Sequence, residues 1–304
     1  MNLFGRYFDY YSREQMKEWS SLRKSGYLLL PLLIYFAVHD ISEILLWALL
    51  NQIMLQSSQG VLQWMEENAY TIKGMINGLA ILLGVAVIGK PVGNEIQAFF
   101  GEIRARTKKI RAEQEKDKSK KITDYVILCV IAFSAAVGIN LLFDLIGFTG
   151  SSTAYTQTSQ MQYDVSFVIG LALYGVISPF AEEAVFRGLI YNRMKRCFNY
   201  GIALIVSSLL FGCYHGNVVQ AVYGTLLGLL IAIIYELYQS FAAPVLFHSI
   251  ANVSIFAFTY HNNLSRMQLP AQIIVSAGTL LAAGIGMIYI IKRYKNEEKT
   301  DDLT

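Results

Sequence analysis

Three short clusters in the second half of the chain carry residues able to do acid–base chemistry. The first lies in SPFAEEAVFRG, residues 178–188. On a helix, Glu183 and Arg187 are four residues apart with the acid N-terminal, so they face each other and can pair. Glu182 is turned by about 100° from Glu183 and looks at a different surface, where the spacing gives it no local partner. An apolar setting favours the protonated form of a carboxylate, which suits a general base working near neutral pH. The alternative is an ordinary ion pair at a helix end. The second cluster is LLFGCYHGN, where Phe211 and His215 are four apart and the phenyl ring can lie beside the imidazole. The alternative there is a structural histidine. The third is VLFHSIANV, where His248 and Asn252 point the same way. Such a pair can donate two hydrogen bonds to a developing oxyanion, or serve as polar glue between helices.

The elements that must position these groups are membrane helices. Hydrophobic residues make up 54% of the 304, charged residues 15%, and mean hydropathy is +0.41. A soluble chain usually carries about a quarter charged residues. Apolar runs of spanning length recur at roughly 27–50, 71–89, 123–147, 165–187, 202–218, 219–237, 241–259 and 271–291, with the fifth and sixth poorly separated at HGN. The expected fold is all-α, a polytopic membrane bundle of about eight helices. Ionisable residues at that depth cost a few kcal/mol each on insertion scales, so each is a functional candidate.

Basic residues set the expected direction. Arg6, Arg13, Lys17, Arg23 and Lys24, the loop 90–121, the trio Arg193, Lys195 and Arg196, and the tail all fall on one face if the span count is even. Segments 51–70 and 148–164 hold no Lys or Arg, and only Lys73 and Arg266 fall opposite. Both termini are therefore expected in the cytoplasm. On this reading Glu182 lies roughly 9 Å inside the cytoplasmic face, His248 at a similar depth, and His215 deeper. A net charge of +3 spread between apolar runs argues against nucleic acid as a partner.

Taken together, the ordered motifs EEAVFR (182–187), FGCYH (211–215) and HSIAN (248–252) resemble the CPBP family of intramembrane proteases. That family includes type II CAAX prenyl endopeptidases and proteins of bacteriocin processing or immunity. The resemblance covers about 165–260. It implies an endopeptidase in which Glu182 and His215 activate a water, His248 and Asn252 stabilise the oxyanion, and Glu183, Arg187 and Phe211 support the motifs. A metal-free Glu/His mechanism is favoured, with no cofactor. Zinc is the alternative, with Glu182, His215 and His248 as its ligands. The implied substrate is a peptide or a prenylated or lipid-associated protein at the bilayer. The rival reading from another class is a non-catalytic membrane regulator or bacteriocin self-immunity protein.

The expected organisation is an interfacial N-terminal segment 1–26, a variable membrane half 27–160, a catalytic membrane core 161–291 and a cytoplasmic tail 292–304. The 90–121 loop reads as a solvated linker or a site for anionic lipid heads. Gly224 and Gly228 form a GxxxG suited to close helix packing. Cys129, Cys197 and Cys213 show no disulfide framework. Within the first span, His39, Asp40 and Glu43 form a polar cluster that the resemblance does not cover.

Overall fold

A computed structural model describes residues 7–107, 118–261 and 267–301, with only the backbone course for 102–107, 118–121 and 295–301. Arg266 and most of the middle of the 90–121 segment lie outside the described residues. Among the described residues the chain is all-α. In order the helices are α1 Arg13–Met16, α2 Ser21–Leu55, α3 Gln59–Glu67, α4 Ala69–Thr107, α5 Lys118–Leu145, α6 Thr153–Tyr163, α7 Phe167–Cys197, α8 Tyr200–Cys213, α9 Val218–Tyr238, α10 Ala242–Tyr260 and α11 Leu269–Asp301.

Seven of these, α2, α4, α5, α7, α9, α10 and α11, are long and apolar enough to cross a membrane. The expected fifth span is α8, which has only 14 residues. It rises roughly 21 Å, short of the ~30 Å hydrocarbon core. The chain breaks where HGN marked the boundary. Gly216 takes a left-handed φ of 74°, a conformation that glycine adopts without a Cβ penalty. Asn217 then caps α9, its Oδ1 accepting from the Gln220 N–H at 2.9 Å.

The 90–121 segment also departs from expectation. Helix α4 runs on to Thr107 with Pro91 inside it, and helix formers such as Glu95, Gln97 and Ala98 follow the proline. Residues 90–107 are therefore helical rather than loop, and Glu95 among them is fully buried.

The chain divides into two compact units. The first joins Met1–Ile96 with Gln157–Ala203, and so holds α7 and the acidic motif. Its core includes Tyr27, Tyr35, Ile88, Phe186 and Tyr191. The expected interfacial helix at the N-terminus is a single turn, α1, closed by a capping box between Ser12 and Gln15, with Met16 buried beneath it.

The second unit joins Gln97–Thr156 with Leu204–Thr304, and so holds the two histidine motifs. Here α5 is the central element, packed on α10 and α11. Gly138 brings α5 against Thr279 and Leu280, and its carbonyl accepts from the Ser276 hydroxyl at 3.1 Å.

Candidate active site

The acidic motif sits on a helix that changes pitch twice. Within α7, residues Leu173–Ile177 and Ala184–Tyr191 are π-helical, and Ser178–Glu183 between them is α-helical. Proline explains the first widening. Pro179 has no N–H for the Gly175 carbonyl, and its ring would strike that carbonyl in a regular α-helix. Opening the turn relieves the clash, and the Ser178 N–H bonds back five residues to the Leu173 carbonyl. The second wide stretch is buried throughout, and Asn192 Nδ2 donates to the Gly188 carbonyl at 3.1 Å. Turns of this kind recur at functional sites.

On this helix Arg187 Nη1 donates to Glu183 Oε1 at 2.9 Å, and both side chains are fully buried. The pairing expected from spacing is therefore present. Glu182 does not fit the expectation of having no local partner. Ser178 Oγ donates to its Oε1 at 2.5 Å, one turn back on the same helix. The sequence reading weighed charged partners and overlooked the hydroxyl four residues N-terminal. That bond fixes the direction of the carboxylate, which is itself buried.

In the second unit, the Phe211 ring lies edge-on to both histidines. Ring centroids are 5.1 Å apart for Phe211 and His215, and 5.5 Å apart for Phe211 and His248. The two imidazoles thus share one aromatic neighbour. His215 Nδ1 lies 2.9 Å from the Phe211 carbonyl oxygen. A carbonyl only accepts, so Nδ1 carries the proton and Nε2 of the neutral ring keeps its lone pair. The helix that supplies the phenyl ring therefore also sets the tautomer.

Two glycines allow α8 and α9 to come together behind His215. A Cβ on Gly212 would collide with the Ala221 carbonyl and the Thr225 hydroxyl. A Cβ on Gly224 would lie 3.2 Å from the Gly212 Cα and 3.5 Å from the His215 ring. Close packing expected of the GxxxG is realised at Gly224, whereas Gly212 carried no signal beyond its residue type. His248 is buried on α10, and Asn252 one turn on is half-buried, with no side-chain hydrogen bond among the described residues.

One buried cluster in the first unit was missed. Glu95 accepts from Tyr27 Oη at 2.9 Å and Arg193 Nε at 3.0 Å, and also pairs with Arg196. The Arg193 guanidinium stacks 3.8 Å above the Tyr27 ring. Both arginines also donate to the N-terminal segment, Arg193 to the Tyr7 carbonyl at 2.9 Å and Arg196 to that of Tyr11 at 3.1 Å. Beyond the basic cluster that sets the expected direction, Arg193 and Arg196 are anchors that tie residues 7–11 to the C-terminal end of the helix bearing Glu182.

Among the described residues, no three His, Cys, Asp or Glu side chains are grouped to hold a metal ion.

Seven apolar helices of spanning length define a polytopic membrane protein, with the acidic motif on α7, the second motif at the end of the short α8 and the third on α10. Residues 164–254 match the family described as "Type II CAAX prenyl endopeptidase Rce1-like", and that stretch contains all three motifs. The family resemblance drawn from the motifs is thereby borne out. The chain is also similar to the Bacillus subtilis protein named "Putative membrane peptidase YdiL", at 22% identity over 138 residues. That similarity covers 40% of this chain and 57% of the relative's length. No solved structure gives a significant match.

Proposed function

We propose that the chain is an intramembrane endopeptidase that hydrolyses a peptide bond of a membrane-associated substrate without a metal. Glu182 and His215 activate a water. The oxygen attacks the scissile carbonyl carbon as the water's proton passes to the Glu182 carboxylate. His248 and Asn252 donate hydrogen bonds to the resulting oxyanion. Collapse expels the amine, which takes up the proton. Glu183 and Arg187 hold the helix in register, and Phe211 orients the imidazoles.

The observation that carries this reading is the tautomer of His215. With Nδ1–H committed to the Phe211 carbonyl, Nε2 is the nitrogen able to accept a hydrogen bond from the water and orient it. The Ser178 bond to Glu182 supports it by fixing the carboxylate that takes the proton. The family match supports the class of reaction. In the proposed orientation both termini and the basic segments are cytoplasmic, and the site opens to the inner leaflet. Helices α8 and α9 then enter and leave the bilayer on that side as one pair, which leaves six crossings. The core of the activity is assigned to 161–291.

The test is quantitative peptidomics of membranes from cells expressing the wild-type chain or Glu182→Gln at equal levels. A peptide that matures only with the wild type supports the assignment. Identical peptide profiles overturn it, and would favour a regulator or immunity protein acting by binding.

A further inference from the structure

The serine that holds Glu182 belongs to a longer line of residues on α7. The exposed side of this helix is set by Val168, Ala172, Val176 and Phe180. A spacing of four drifts by about 40° per step in a regular α-helix, so three steps would carry it well around the axis. The stripe stays exposed because Leu173–Ile177 is a wide turn, which takes in one residue more than an α turn. Leu173 marks a second side, where it fills the space left at Gly74 and Gly78 of α4.

The same widening moves Tyr174. Tyr174 and Glu182 are eight positions apart, which would separate them by about 80° in a regular α-helix. With one residue absorbed in the wide turn they stand as an i,i+7 pair, within about 20° of each other. Ser178 lies between them and is bonded to Glu182. Tyr174, Ser178 and Glu182 therefore form one line, on the side of α7 away from the exposed stripe. Glu182 is buried, whereas Ser178 and Tyr174 are only half-buried. A side chain that faces away from lipid and is still half-buried is not packed out by the other helices. The line thus runs from the buried carboxylate along an accessible face, and ends at an aromatic ring.

The length of this line matches a short stretch of peptide. Seven residues of helix rise roughly 11 Å, and side chains on a helix lean toward its N-terminal end, so the separation is carried out to the tips. An extended peptide advances about 3.3 Å per residue, so 11 Å is about three residues. We infer that Tyr174 is a specificity-determining residue, whose ring receives a large apolar side chain of the substrate about three residues from the scissile bond. That side chain lies in the half of the substrate that runs toward the start of α7. An aromatic ring offers a large apolar contact area, which a small or charged side chain cannot use. The inference rests on the peptidase reading, because Glu182 marks the scissile bond.

The experiment uses the full chain in liposomes and the peptide identified from membranes, with Leu, Ala or Asp placed in turn at each nearby position on either side of the scissile bond. At one position, three residues from the bond, the wild type is expected to prefer Leu to Ala by about tenfold in kcat/KM, in line with what a hydrophobic pocket discriminates. Tyr174→Ala should erase that preference through KM and leave the preferences at other positions in place. Tyr174→Phe should keep it. A preference that survives in Tyr174→Ala, or a rate that falls equally for every peptide, overturns the role of Tyr174 and leaves the peptidase reading standing. A photo-reactive phenylalanine at the third position should cross-link to the wild-type chain at Tyr174 or within one turn of it. Cross-links only elsewhere overturn the inference even if Tyr174→Ala fails to fold. Absence of cleavage of every peptide by the wild type would sink the peptidase reading, and this inference with it.

Discussion

Ser178 Oγ donates to Glu182 Oε1 at 2.5 Å across one turn of α7, so the proposed base is held by the residue just before Pro179. The proline opens the turn that precedes it, and the serine fixes the carboxylate that follows. Ser178→Ala should lower the turnover number by roughly tenfold with little change in KM, since a hydrogen bond to a charged group contributes on the order of 1.5–3 kcal/mol. Initial rates on the maturing peptide check this. A rate equal to wild type would remove Ser178 from the mechanism.

The ion pair of Glu183 and Arg187 makes a stability prediction. Both side chains are fully buried, so removing one partner strands a charge. Arg187→Ala alone should destabilise the protein by about 3–5 kcal/mol. The double substitution Glu183→Ala with Arg187→Ala should cost less than the two single changes combined. Denaturant titration in detergent measures all three, and additive costs would mean that the pair is not coupled.

Glu95 should matter for the N-terminal segment as well as for stability. Glu95→Gln would leave Arg193 and Arg196 without their buried counter-charge. These arginines hold the Tyr7 and Tyr11 carbonyls. Limited proteolysis should then cut between Tyr7 and Trp19 at least several-fold faster than in the wild type. Unchanged protection would show that the segment is held by its aromatic contacts, such as the edge-on Tyr11 and Trp19 rings.

Much of this could be read in the sequence where local spacing decides the geometry. The pair Glu183 and Arg187 follows from helical periodicity, as does the stacking of Phe211 beside His215. Spacing could not reveal Glu95, which meets Arg193 and Arg196 from 98 and 101 positions away. Counting basic residues treats each arginine as solvated, so the buried Arg193 and the part-buried Arg196 read as surface charge. The expected fifth span is shorter than its hydropathy suggests for a different reason. Hydropathy runs smoothly across 202–218, but Gly216 and Asn217 impose a turn and a new cap, which shortens α8. The Ser178 contact was within local reach and was missed because only charged partners were weighed.

Metal content is a separate measurement on purified protein. The metal-free mechanism predicts zinc well below one per chain and full activity after dialysis against a chelator. Stoichiometric zinc that disappears in His215→Ala and His248→Ala would contradict it.

The most direct test of the central claim is cleavage by the purified chain in liposomes of the peptide identified from membranes. Wild type is compared with Glu182→Gln at matched thermal stability. Loss of a general base predicts a fall of about a thousandfold for the variant, within the range such groups contribute. Cleavage by Glu182→Gln at the wild-type rate would contradict the account.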